Sequence, residues 1–324
     1  MPLKVNIGDM VLGIEAGANA VVFTRGYDAC RYGFYWVMQK KILERHFRRE
    51  IPFLLFYHHN VLLACQEMFR MLKLNISDEE FFSILRRSVK KLDVLISTER
   101  LTNKVRPKEI IKGETDKIYN NAIELLDNAQ TDREIKKTER KIIKMYKNIQ
   151  KKIFFNPLKA GLIGEIFEIL EPTSNLYIER KLGNMGVEVV RMLDYNNLVP
   201  FGRTRRFVPF LRRLRDEYNF KKSFKIAQKY LGILAYSGFG GYGTNSIINA
   251  GLAKKRGFDG IIQISPFTCM PEIIARPILR NICKKQNIPF LSLVTDEHSG
   301  EQGFDTRLEA FVDILKNRQK KRSI

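Results

Sequence analysis

The chain opens on a helical period. Within residues 6–16, Ile7, Met10, Val11 and Ile14 share one side and Leu12 lies off it, the spacing of an amphipathic helix that Gly8 and Gly13 weaken. Ala18–Phe23 is short, largely apolar and β-rich toward its end, which predicts a buried strand. Residues 25–30 are a turn-prone connection, 31–46 run helical without a proline, and Pro52–Tyr57 is a second buried strand. Helix, strand, helix, strand is the alternation of a parallel sheet.

From Asn60 to about Lys152 the period is helical, with few strand signals. Ser77-x-x-Glu80 and Thr131-x-x-Glu134 mark helix starts, because side chain and backbone donors can satisfy one another there. Residues 130–152 are so charged that their helix is exposed over much of its circumference. Alternation resumes after Pro157. A strand at 160–163 and a helix at 176–185 come first, with Gly186 in the place of a left-handed stop. A strand at 187–190 and a basic helical stretch at 203–230 follow. After the glycine-rich 237–244 come a helix (245–255), a strand (258–264), a helix (271–285), a strand (290–295) and a last helix (304–317). The pattern predicts an α/β fold of two parallel-sheet, Rossmann-like units with a helical insertion. The first unit spans 1–59, the insertion 60–153 and the second α/β domain 154–324.

Composition narrows the class. The 324 residues, 44% of them hydrophobic, suffice for one large or two ordinary domains. No run reaches the roughly 18 apolar residues of a membrane span. Asp9 and Glu15 stand where a secretory signal would carry an unbroken apolar stretch. The expectation is therefore a cytoplasmic protein with no membrane partner. Its four cysteines are then free thiols or metal ligands, not a disulfide framework. The net charge of +21 fits a polyanionic partner, either nucleic acid or a phosphate-bearing cofactor such as coenzyme A. It equally fits solvated basic faces. The charge is spread along the chain, with Arg203, Arg205, Arg206, Arg212, Arg213 and Arg215 in one stretch, and no nucleic-acid-binding motif accompanies it.

Ligands of open parallel sheets bind outside the carboxyl ends of the strands. Three predicted strands end in loops of unusual content: one holds Cys30, one runs from Ser265 to Glu272 through Cys269, and one reads Asp296-Glu-His-Ser-Gly-Glu301. Pro271 suits the start of a helix, which puts Cys269 at or beside the N-cap, where amides and dipole favour a thiolate. Cys30 also precedes a helix. Two cysteines at strand-to-helix junctions suggest a shared metal or cluster site, although a free cysteine is often simply a small buried hydrophobe. Cys65 and Cys283 lie among helical apolar neighbours and read as core or surface. His46, His58 and His59 show no ligand spacing, whereas His298 lies in the third loop as a proton-transfer candidate or a loop-fixing group. Gly240, Gly241 and Gly243 open a helix and are candidates to cradle a phosphate, though neither the phosphate-loop nor the dinucleotide pattern fits; the other reading is a hinge.

Cys30-Arg31-Tyr32-Gly33-Phe34-Tyr35, Pro266-Phe267-Thr268-Cys269-Met270-Pro271-Glu272, Asp296–Glu301 and Thr306-Arg307-Leu308-Glu309-Ala310-Phe311 resemble elements of one family. These are the 2-hydroxyacyl-CoA dehydratase D-component-like proteins and the related double-cubane cluster proteins. The likeness runs from Leu3 to about Leu315 and is weakest in the helical middle. It implies an iron–sulfur cluster (4Fe-4S or double cubane) with Cys30 and Cys269 as ligands. It also implies a companion subunit and a separate ATP-hydrolysing activator that delivers low-potential electrons. The chemistry implied is a lyase acting on a 2-hydroxyacyl-CoA through a ketyl radical, or a reductase of other small molecules, with His298 or Glu301 available for proton transfer. The family has a further cysteine just ahead of the segment resembling Met1-Pro2-Leu3-Lys4, so the resemblance predicts a cysteine codon directly upstream of Met1. The rival readings are a cluster-free scaffold or regulatory protein that kept the fold and, on charge alone, a nucleic-acid-binding protein.

Overall fold

A computed structural model describes residues 2–24, 30–56, 69–70, 76–192, 220–232 and 241–322. Its fold is mixed α/β with two parallel sheets. The first is formed by β1 (Val21–Thr24) and β2 (Phe53–Phe56), paired in register from Val21↔Phe53 to Thr24↔Phe56. Helices α1 (Pro2–Glu15) and α2 (Tyr32–Phe47) pack on it. Ile14, Val21, Leu43 and Ile51 make its small core. Leu12, off the apolar side of α1, is 65% exposed. Helix α1 begins at Pro2, earlier than the predicted 6, and Gly8 and Gly13 lie within it.

Among the described residues of the middle lie three long helices, α3 (Asp78–Val105), α4 (Glu114–Asp127) and α5 (Asp132–Asn148), around Val94, Ala122, Leu126, Ile135, Ile142 and Tyr146. Ser77 caps α3 by accepting from the Glu80 amide, without the reciprocal bond. Thr131 and Glu134 form the complete capping box at α5. Helix α3 is tied to the second sheet through Arg191, which donates to Glu99 (2.9 Å) and Glu179 (2.5 Å).

The second sheet has the order β4-β3-β5-β6, all parallel: β3 (Leu158–Gly164), β4 (Val187–Arg191), β5 (Gly260–Pro266) and β6 (Phe290–Thr295). Its inner strands read as continuous apolar runs because both faces are covered. On one face lie α6 (Ile166–Leu170), α7 (Ile178–Asn184) and α11 (Glu301–Arg322), through Ile169, Ile178, Leu182, Leu308 and Phe311. On the other lie α8 (Phe220–Leu231), α9 (Gly243–Leu252) and α10 (Met270–Gln286), through Ile247, Leu279, Ile282 and the buried Cys283. Helix α7 is shorter than the expected 176–185. Leu176 and Tyr177 take left-handed φ values of 54° and 57°, so the helix can begin only after them. The stop at Gly186 holds, with φ +90°.

The chain leaves β3 toward β4 on one side and β5 toward β6 on the other. The crevice between the carboxyl ends of β3 and β5 is thus a topological switch point, where open α/β sheets bind ligands. No described helix is long and apolar enough to cross a membrane. Cys65, His58, His59, Gly240 and the six arginines of 203–215 lie outside the described residues.

Candidate functional site

At the switch point, Gly164 closes β3 with φ +137°; a Cβ there would fall 1.9 Å from the Ile264 carbonyl oxygen. Only glycine lets β3 run this close to β5 and turn, and the turn delivers Glu165 to the crevice. Glu165 caps α6, its carboxylate accepting from the Glu168 amide at 3.0 Å. From the neighbouring strand, β5 ends at Pro266 and the chain turns through Phe267 and Thr268 to Cys269, the N-cap of α10 (φ −72°, ψ 97°). Pro271, in the first turn of α10, forfeits no hydrogen bond there.

The first sheet brings Cys30 to the same place. Tyr32 stacks on Phe23 of β1 (centroids 5.2 Å apart) and meets Tyr35 edge-on, which fixes the first turn of α2. The carbonyl of Cys30 accepts from the Gly33 amide. Arg31 then reaches across and donates to the Thr268 carbonyl at 2.7 Å, clamping the Cys30 loop to the Cys269 loop. The two thiols line one cavity of about 110 Å³ together with Arg31, Tyr35, Glu165 and Thr268. Gly241, at φ +55°, closes in from the amino end of α9. A Cβ on it would press to 2.9 Å on Pro271 and reach 3.8 Å from the Cys30 sulfur.

The lining favours protonated groups. Burial pushes the Cys269 thiol up to about 12, helped by Glu272, Glu165 and Cys30 and opposed by the Glu272 amide. Desolvation here outweighs the pull of the amide at the helix N-terminus, so the shift of the metal-free thiol is upward. Burial also raises Tyr35, against the pull of Arg31, and raises Glu165, against three amides of α6. Glu165 faces the cavity, so water touches it although protein surrounds it. Beneath the site, Glu272 is fully buried and pushed up to about 7 by burial. It accepts from Ser246 Oγ (2.9 Å) and Gln263 Nε2 (2.7 Å). Gln263 in turn accepts from Ser292 Oγ at 3.0 Å, so α9, α10, β5 and β6 are pinned together under Cys269.

Glu297 of the 296–301 loop pairs with Lys4 of α1. Within the loop, Asp296 fixes its own turn by accepting from the His298 amide and Ser299 Oγ. Neither His298 nor Glu301 lines the cavity. His298 is exposed, and Glu301 accepts from Lys181 at 2.7 Å. Gly241 borders the thiols and Gly243 is buried at the first position of α9. Reasoning from the sequence missed Tyr35, Glu165 and Glu272. The signal for Glu165 was present: a carboxylate directly after the glycine that ends a central parallel strand.

A resident cluster needs thiolates and room, with hydrogen-bond donors or cations near its sulfurs. Two thiols converge, Gly241 leaves space beside one of them, and the other ionisable groups of the lining include Arg31 as well as Tyr35 and Glu165, the last two raised by burial. In this respect the residues fit. Among the described residues, however, no group of three or more His, Cys, Asp or Glu side chains is placed to hold a metal ion, so the described chain supplies two thiols and not a closed shell.

The comparison with known families falls on this region. Residues 248–315 match the family model of the 2-hydroxyglutaryl-CoA dehydratase D-component. The matched segment runs from α9 to α11 and contains Cys269, Glu272 and the 296–301 loop. Over that segment it supports the resemblance read from the sequence. Among curated proteins, none matches the chain.

Proposed function

We propose that the cavity at the switch point holds an iron–sulfur cluster through Cys30 and Cys269, and that the chain is the cluster-bearing component of a 2-hydroxyacyl-CoA dehydratase-like or related reductase system. The observation that carries this reading is the meeting of two cysteines 239 positions apart, one from each sheet, in one cavity and clamped by the Arg31–Thr268 bond. A cluster there supplies single electrons at low potential, received from a separate ATP-hydrolysing activator. Its remaining ligands come from outside the described residues or from a companion subunit.

The chain's own groups take the other roles. Arg31 holds the two cysteine loops in register. Tyr35 and Glu165, both shifted toward the protonated form by burial, line the cavity with the thiols and take the part first expected of His298 and Glu301. Gly241 guards space beside Cys30, and the Glu272 network fixes the amino end of α10. An acyl-CoA remains the substrate that the matched family suggests.

Anaerobic purification followed by iron, sulfide and EPR measurements tests the proposal. Stoichiometric iron and sulfide with a cubane EPR signal after reduction are expected. A colourless, iron-free protein that also fails to take up iron and sulfide on reconstitution contradicts it. That result would favour the cluster-free scaffold, the reading to which two converging thiols among the described residues point.

A further inference from the structure

The two edges of the four-stranded sheet are treated differently. The β4 edge is covered by α3 and sealed by Arg191. At the other edge, β6 is the last strand among the described residues. The Pro289 and Thr295 carbonyls accept from Ile261 and Phe267 on the β5 side. Alternation along an extended strand therefore turns the backbone N–H and C=O groups of Phe290, Ser292 and Val294 outward. Beside the first half of β6 lies a groove of about 430 Å³ whose lining includes Arg280, Lys284, Phe290, Leu291, Ser292 and Arg307. Phe290 packs with the α10 face and Leu291 with the α11 face. Arg280 and Lys284 of α10 thus flank the open edge on one side, and Arg307 of α11 flanks it on the other. Arg307 already donates to the Ser292 carbonyl at 2.5 Å. Neither Arg280 nor Lys284 has an acidic partner among the described residues.

Outward backbone groups bracketed by cations on both faces are complementary to one kind of partner. We infer that the β6 edge docks an extended, acidic segment of a partner protein, which adds to the sheet as a fifth strand. Backbone pairing to Phe290, Ser292 and Val294 gives the register, and the acidic side chains answer Arg280, Lys284 and Arg307. The groove lies along the first half of β6, away from the thiol cavity at the carboxyl ends, so this inference is independent of the proposed cluster.

The test uses the full chain and a fluorescein-labelled peptide of alternating glutamate and valine, followed by fluorescence anisotropy at low and physiological salt. Saturable binding is expected. It should weaken about tenfold or more in Arg280→Glu/Lys284→Glu, two exposed positions whose reversal leaves the fold intact by circular dichroism. It should also weaken by a similar factor when the same peptide is N-methylated on alternate residues, which removes strand donors and keeps the charge. Equal binding of the methylated peptide means attraction without strand addition and overturns the inference. So does unchanged binding by the charge-reversed variant. Displacement by inorganic pyrophosphate at concentrations where equal ionic strength of chloride has no effect would assign the groove to a phosphate ligand instead.

Discussion

At Cys269 two effects act on one thiol: amides at the amino end of α10 draw its pKa down, while burial and the neighbouring Glu272, Glu165 and Cys30 drive it up to about 12. Burial acts in the same direction at Glu168, which is fully buried and pushed up to about 7. The Ser174 and Thr295 hydroxyls lie near that carboxylate, but neither oxygen of it has a partner in hydrogen-bond geometry. A carboxyl whose folded pKa lies above its unfolded value binds its proton more tightly in the fold. The stability this group contributes is therefore fully present below about pH 4.5 and is lost as pH rises to about 7. A shift of this size corresponds to about 3 kcal/mol. Glu168→Gln, which mimics the neutral acid, should match the parent in urea denaturation near pH 5 and exceed it by up to that amount at pH 8; parallel pH profiles would contradict this. Gly241→Ala imposes a left-handed φ on alanine and presses a methyl on Pro271. A stability loss of about 1–2 kcal/mol, with poorer iron retention than the parent after desalting, is expected; full retention would show that the space beside Cys30 is not needed. Such residues were hard to read from sequence. Glu165 and Glu168 look like solvent-facing acids in Gly-Glu-Ile-Phe-Glu, and only the covered sheet edge above them makes them buried.

Elements were more legible than their ends. The strand Phe290–Thr295 was read to the residue, because a continuous apolar run bounded by proline and aspartate has one outcome in a covered parallel sheet. The strand at 258–264 begins at Gly260 instead. Phe258 packs with the α9–α10 cluster before pairing starts, and Asp259 takes the Lys159 carbonyl and amide. Helix α7 lost its first turn to Leu176 and Tyr177, whose left-handed backbone no propensity signals. Thr131 and Glu134 were readable because their chemistry is local. Thr131→Ala should cost about 1 kcal/mol through loss of the cap to α5, measured by chemical denaturation. A change under a few tenths would mean that α5 is held by its packing on α3 and α4 alone.

Across the whole molecule, the two sheets differ in depth of burial. The first has four residues per strand and, among the described residues, a small core of Ile14, Val21, Phe23, Leu43, Ile51 and Leu54; the second buries β5 along its entire length. We propose that units 1–59, 60–153 and 154–324 differ in stability accordingly. Hydrogen exchange should show β5 amides slowest and β1–β2 amides opening well below the global free energy; uniform protection would show a single cooperative unit. The parallel α/β plan followed from alternation in the sequence. The placing of Cys30 beside Cys269 required that one sheet dock against the carboxyl edge of the other, and no periodicity encodes that.

The central claim is that these two thiols act together. Iron and sulfide per chain, measured after anaerobic purification of the parent and of four single cysteine-to-serine variants, test it most directly. A hydroxyl cannot replace a thiolate at a soft iron–sulfur centre, so Cys30→Ser and Cys269→Ser should each lose the iron and sulfide. Cys283→Ser, at a core position, should keep both with about 1 kcal/mol of lost stability, and Cys65→Ser should keep both as well. Equal iron and sulfide in all four variants would contradict the shared site.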